Sequence, residues 1–308
     1  MTLAFVFPGQ GSQSVGMLKD LAEAFPVVGE TFAEASAALG YDLWRLTQEG
    51  PEAELNQTHH TQPAMLAAGV AVWRVWTAQG GARPVLLAGH SLGEYTALVC
   101  AGAIEFGDAA ALVADRGRYM QEAVPAGQGA MAAILGLEDG QVDEVCAAAA
   151  QGQVVSSANL NSPGQVVIAG ETDAVNRAIG LAREAGARRA VLLPVSVPSH
   201  CALMNRAAER LAERLEAIAV SAPSIPVLHN VDAGSRSDAK ALRLALVEQL
   251  FRPVRWVQSV RAMASSGATR LVECGPGKIL TGLNKRIDKG LECLAVYNPD
   301  TLAAALGG

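Results

Sequence analysis

The chain is poor in aromatic side chains, which make up 5% of its 308 residues, so its 50% hydrophobic content is carried by Ala, Val and Leu rather than by Phe or Trp. Cysteine is scarce too. Cys100, Cys146, Cys201, Cys274 and Cys293 form no CxxC pair, are odd in number and sit mostly in apolar runs. That excludes a disulfide-stapled scaffold and predicts buried free thiols in a reducing compartment. No stretch of about 18 apolar residues marks a membrane span. The opening TLAFVFPGQG lacks the basic flank, the long apolar run and the small-residue cleavage site of a signal peptide, so a cytoplasmic location is expected. A net charge of -6 excludes a broad basic surface for nucleic acid, although basic pairs occur locally at Arg188 with Arg189 and Lys285 with Arg286. Internal repeats and low-complexity linkers are absent. What is present is a chain long enough for a large core, in which 31 glycines against 14 prolines suit the strand-to-helix turns of an α/β protein.

Leu3 to Phe7 reads as a buried strand ending at the turn signal Pro8-Gly9. After a helical region, Pro63 to Trp76 repeats apolar residues at helical spacing, with Pro63 suited to a first turn. Pro84 to Ala88 is a strand, Gly89 to Gly93 a turn, and Glu94 to Ala101 the start of a helix. Between about Gly129 and Ser196 the pattern becomes β-α-β-β-α-β, the ferredoxin-like order, which fits an insertion into a larger domain. Beyond it, Cys201 to Ala219 reads as one long helix, SIPVLHN as a strand, LVEQL as a helical piece, RLVECG as a strand and KILTGLNKRI as a helix. The expected fold is an α/β hydrolase-like core with a parallel sheet, formed by residues 1–126 and 197–308, carrying a ferredoxin-like subdomain at 127–196.

GHSLG, Gly89 to Gly93, has the form GxSxG between a strand and a helix. Such a serine sits on a strained turn, exposed, with glycines that let neighbouring chain approach. Ser91 is therefore the candidate nucleophile, against the alternative of a serine that only caps the helix. The Leu92 N–H at the helix start can donate to an oxyanion. Among the five histidines, His90 adjoins Ser91 and is expected to point away, while His59 and His60 precede a helix in a polar stretch and suit a surface or capping role. His200, in a loop between strand and helix, is preferred as the base. His229, at the end of a strand, is the competitor.

The helix beginning near Asp108 places Leu112, Arg116 and Met120 on one face, so Arg116 points inward. A buried guanidinium needs a partner, and its planar fork matches a carboxylate. Two readings stay open on this ground: an internal salt bridge, or a substrate that carries a carboxylate.

Taken together, FPGQGSQ (Phe7 to Gln13), TQPA (Thr61 to Ala64), GHSLGEY (Gly89 to Tyr95), RGRYMQ (Arg116 to Gln121), VPSH (Val197 to His200), QL followed by PVRW (Gln249 to Trp256) and ECGPGKILTGLNKRI (Glu273 to Ile287) give a chain that resembles, nearly end to end, the malonyl-CoA:acyl carrier protein transacylases of bacterial fatty-acid synthesis. The resemblance implies a Ser91-His200 dyad whose second imidazole nitrogen is held by a backbone carbonyl near Gln249. It implies Gln10 beside Leu92 in the oxyanion hole and Arg116 on the malonyl carboxylate. His90, Asn159 and Ser199 match pocket positions, and Asn161, Arg189 and Lys285 match positions linked to coenzyme A or carrier docking. The implied partners are malonyl-CoA and a phosphopantetheinylated acyl carrier protein, with no metal or other cofactor, and a monomer is expected.

An α/β-hydrolase esterase also uses GxSxG, but its histidine comes late in the chain. Here no histidine follows His229 and no HGGG-like segment appears. The glycines of GQGSQSVG do not complete GxGxxG, because position 14 is Ser. A catalytically silent carrier-binding scaffold would have no use for Ser91, His200, Arg116 and Gln10 together. The malonyl transferase subunit of a malonate decarboxylase complex shares the chemistry and is the nearest alternative.

Overall fold

The computed structural model describes residues 2–195 and 197–307. Its strands in chain order are β1 (Leu3–Phe7), β2 (Leu86–Gly89), β3 (Gly129–Leu135), β4 (Val155–Ser162), β5 (Gln165–Glu171), β6 (Arg189–Leu192), β7 (Val227–Leu228), β8 (Arg270–Cys274) and β9 (Glu292–Val296). β1 has no polar face because neither side meets water. Leu3, Phe5 and Phe7 enter one apolar core, and Ala4 and Val6 enter another. A run of this kind belongs at the centre of a parallel sheet covered on both faces. Accordingly β1 is the middle strand of a sheet ordered β7-β2-β1-β8-β9, with every pair parallel.

The second sheet is antiparallel, ordered β4-β5-β3-β6. With the helices Asp139–Ala150 and Thr172–Glu184 it forms the β-α-β-β-α-β unit expected from sequence. Alternation divides its strands: Ala132, Ile134, Val166 and Ile168 pack under the two helices, while Met131, Val167 and Ala169 face the other way, onto Cys201. The end of this unit at residue 196 lies outside the described residues. Leu160 N–H and Val254 N–H exchange bonds with Val254 O and Ala158 O, so the edge strand β4 is stitched to the segment before Trp256.

Several local expectations are revised. The helix expected from Pro63 begins five residues earlier and runs Thr58–Ala78, with Pro63 inside it. The turn before the proline survives because it is tied down from outside. Thr61 Oγ1 donates to Leu55 O at 2.6 Å and His60 Nδ1 lies 3.1 Å from Glu54 O. The helix Phe106–Ala123 crosses there at Gly117, where a Cβ would stand 2.7 Å from Thr58 O. His59 and His60 therefore lie within a helix rather than before one. The long helix expected from Cys201 is a short 3-10 turn, Ala202–Met204, followed by a helix at Asn205–Glu216. Only Val227 and Leu228 of SIPVLHN pair as strand.

The turn after β2 depends on two glycines. A Cβ on Gly89 would lie 1.8 Å from Gly93 C, and one on Gly93 would lie 2.0 Å from Phe7 O, so the start of the helix Gly93–Cys100 is pressed against both central strands. Overpacking of this kind costs about 1–3 kcal/mol or more. Gly93→Ala should lower the free energy of urea unfolding by about 3 kcal/mol. Gly282→Ala, where an added Cβ meets nothing within 4 Å, should be neutral or stabilising by about 0.5–1 kcal/mol.

Candidate active site

The carboxyl ends of the parallel strands converge, as ligand sites in open α/β sheets do. Gln10 follows β1, Ser91 follows β2 and Asn230 follows β7. Ser91 adopts φ 51°, a left-handed conformation that a non-glycine residue holds only when its surroundings impose it. The bonds that do so come from Asn230. Its Oδ1 accepts from Ser91 N–H at 2.7 Å and its Nδ2 donates to Gly89 O at 2.7 Å.

Ser91 Oγ lies 2.8 Å from His200 Nε2. On the far side of the ring, His200 Nδ1 donates to the backbone carbonyl of Gln249 at 2.7 Å, which fixes the tautomer and leaves Nε2 free to accept the serine proton. His200 also has positive φ, 63°, and its own N–H donates to Leu250 O at 2.9 Å. Burial, and then the neighbouring Arg116 charge, lower its pKa to about 3, so the ring is neutral and competent as a base near neutral pH. The other histidine raised as a base, His229, is elsewhere: its Nδ1 is 2.7 Å from Glu94 Oε1, fully buried.

Arg116 is 1% exposed. Its Nη1 donates to Gln62 Oε1 at 2.8 Å, its Nη2 to Gln249 Oε1 at 3.0 Å and, more weakly, to Ser91 Oγ at 3.4 Å. Its carbon Cζ lies 5.3 Å from the Tyr95 ring centroid. Among the described residues no salt bridge reaches it. The choice left open by sequence is thereby narrowed, because this guanidinium is held by neutral amide oxygens rather than by an internal carboxylate. Burial pulls its pKa down from the usual arginine value, and an anion entering the site would relieve that cost.

A cavity of about 150 Å³ joins these groups, lined by Gln10, Gln62, His90, Ser91, Leu92, Arg116, Met120, Met131, Asn159, Leu193, Ser199 and His200 among others. Leu92 immediately precedes the helix Gly93–Cys100, and among the described residues nothing accepts from its N–H. The helix N-terminus adds favourable potential for an oxyanion there. Gln10 is brought near by Gly9, whose backbone lies against the His90 carbonyl so closely that a Cβ would stand 2.5 Å from it.

His90 Nε2 lies 2.8 Å from Asn161 Oδ1, and burial lowers the pKa of this histidine. Asn159 and Asn161, two apart on β4, therefore present one face to the site. Gln249 does not line the cavity but reaches it through Arg116 and His200. Arg189 and Lys285 are exposed and stand outside the lining. Sequence reasoning missed Gln62 and Asn230, whose residue types carry no signal of their own. Gln62 stands one turn after Thr58 on the helix opposite Arg116, and both line the cavity. Among the described residues no cluster of His, Cys, Asp and Glu could hold a metal ion.

The acyl transferase domain family matches residues 4–292. The malonyl CoA-acyl carrier protein transacylase of Salmonella typhimurium is 61% identical over 303 residues, 98% of each chain. The chain belongs to the malonyl-CoA:acyl carrier protein transacylases. Within this family the solved transacylase from Coxiella burnetii superposes with a TM-score of 0.99 at 51% identity, covering 100% of this chain and 97% of that one. A malonyl transacylase solved in complex with a type II polyketide acyl carrier protein gives 0.99 at 58% identity, covering 100% and 99%.

The depressed pKa of His200 has a measurable consequence. A serine base that titrated like free histidine would lose activity as pH falls through about 6.5. Here protonation is displaced to lower pH, so the rate of Ser91 labelling by a serine-directed fluorophosphonate should stay flat from pH 8 to pH 5. An inflection near 6.5 would contradict the buried, cation-flanked imidazole.

Proposed function

We propose that this protein moves the malonyl group from malonyl-CoA to the phosphopantetheine thiol of an acyl carrier protein through a malonyl-serine intermediate, supplying fatty-acid elongation. The observation that carries the reading is the buried Arg116 guanidinium, held by two amide oxygens beside the Ser91-His200 pair and bonded to no carboxylate among the described residues. Such a site asks for an acyl group that ends in a carboxylate.

His200 Nε2 takes the proton of Ser91 Oγ as the oxygen attacks the thioester carbonyl. Charge on the carbonyl oxygen is met by the Leu92 N–H and Gln10. The C–S bond then breaks, and the coenzyme A sulfur leaves with the proton held on His200. In the second half the carrier thiol gives its proton to His200 and attacks the acyl-serine, and Ser91 leaves as the alcohol. Arg116 holds the malonyl carboxylate through both halves, with His90, Asn159 and Ser199 shaping the pocket around it. Asn161, Arg189 and Lys285 are proposed for coenzyme A or the carrier.

Residues 127–196 are read as a small subdomain inserted between the two parts of the large one, and the active unit as a monomer. A cytoplasmic location agrees with five free cysteines and with the finding that, among the described residues, no helix is long and apolar enough to cross a membrane.

Intact-protein mass spectrometry after brief exposure to malonyl-CoA should give a malonyl adduct that is absent from Ser91→Ala and discharged by holo-carrier. Arg116→Ala leaves the substrate carboxylate buried without its partner, a loss of about 3–5 kcal/mol. It should lower kcat/KM for malonyl-CoA by at least ~100-fold while leaving acetyl-CoA unchanged or improved. Retained preference for malonyl over acetyl would overturn the role of Arg116.

A further inference from the structure

Three residues beyond the nucleophile, Glu94 places a carboxylate at 0% exposure on the first turn of the helix Gly93–Cys100. The transfer chemistry gives it no role, and a buried carboxylate is costly unless its oxygens are satisfied. They are satisfied by three donors from two other segments. His229 Nδ1 donates to Oε1 at 2.7 Å, and Asn230 N–H and Gln249 Nε2 donate to Oε2 at 2.9 and 2.8 Å. His229, Asn230 and Gln249 are themselves fully buried.

Two of the three donors, Asn230 and Gln249, then touch the reacting groups. Asn230, fixed by its backbone, turns its side chain onto Ser91 N–H and Gly89 O. Gln249 Nε2, besides meeting Glu94, donates to Ser91 O at 3.0 Å, which aims its Oε1 at Arg116. The amide cannot be reversed, because an oxygen in place of Nε2 would face the Glu94 carboxylate and the Ser91 carbonyl. The same residue's backbone carbonyl holds His200. The Ser91 turn and the Arg116 guanidinium are thus both tied to one carboxylate, and the backbone of Gln249 holds His200 beside them.

We propose that Glu94 is a positioning residue of the transfer reaction, acting through Asn230 on the Ser91 turn and through Gln249 on the orientation of Arg116, and so contributes to the choice of a carboxylated acyl group. This rests on the malonyl transfer proposed above.

The test compares Glu94→Met with Glu94→Gln, counting active sites by exhaustive fluorophosphonate labelling so that a loss of folded protein does not register as a loss of rate. Outer-shell partners that hold reacting groups are worth about 10–100-fold. Per active site, Glu94→Met should lower kcat/KM for malonyl-CoA by at least ~30-fold. It should lower the malonyl-to-acetyl ratio by at least ~5-fold, because acetyl does not use Arg116. Glu94→Gln should restore part of both, since its amide oxygen can take the two donors at Oε2. A Glu94→Met enzyme within about twofold of wild type in both quantities overturns the proposal. Should that variant yield no folded protein, Asn230→Ser decides: a per-site loss of tenfold or more supports the relay, and a rate within twofold of wild type overturns it. Failure of the wild-type protein to form a malonyl-serine would instead remove the transfer reading itself.

Discussion

The site depends on the left-handed turn at Ser91. That conformation is unfavourable for a side chain with a Cβ, and it is reached only because Gly89 and Gly93 allow the strand, the turn and the helix to touch at backbone distance. From that contact follow the exposure of Ser91 Oγ, the direction of the Leu92 N–H and the placement of Glu94 beneath the turn. The two bonds from Asn230 then hold a geometry that the local chain does not prefer. Strain at Ser91 is balanced by burial and hydrogen bonding around it, as folded proteins hold such strain.

The second constraint is electrostatic. An aspartate behind His200, as in a serine protease triad, would raise the imidazole pKa and would also stand as a competing partner for Arg116. The protein uses a backbone carbonyl in that place. A carbonyl orients the ring and selects its tautomer without bringing a full negative charge, so the guanidinium stays available and the imidazole stays neutral. The carboxylate that is present, Glu94, is linked to Arg116 by hydrogen bonds only through the neutral Gln249 amide, although its charge still acts on the guanidinium from that distance. The neutral state of His200 and the freedom of Arg116 from a carboxylate hydrogen bond therefore come from one arrangement.

Ser91, His200 and Arg116 were legible because each leaves a short-range trace: a glycine-framed serine between strand and helix, a histidine in a loop after a strand, and a cation in an apolar stripe. The parallel core and the inserted antiparallel unit were legible in the same way, from the continuous apolar run of β1 and from the order of elements after Gly129. Gln62, Asn230 and Glu94 were not, since their functions depend on partners 54 to 139 positions away. The carbonyl of Gln249 is invisible to residue type altogether. Pro63 misled for a related reason. Its local rule places it in a first turn, and the rule was overridden by contacts from Leu55, Glu54 and Gly117 that only the tertiary structure supplies.

The small antiparallel sheet completes the argument, because it covers the site with the face its own helices do not use. Met131 and Leu193 line the cavity, and Met131, Val167 and Ala169 pack onto Cys201, the residue after His200. Cys201 Sγ in turn lies 3.2 Å from Pro198 O. The loop that carries His200 is thus clamped between the Gln249–Leu250 carbonyls of the large sheet's surroundings and the apolar underside of the small one. The element that packs beside His200 is thus also the one that lays apolar side chains, Met131 and Leu193, along the cavity that holds Ser91.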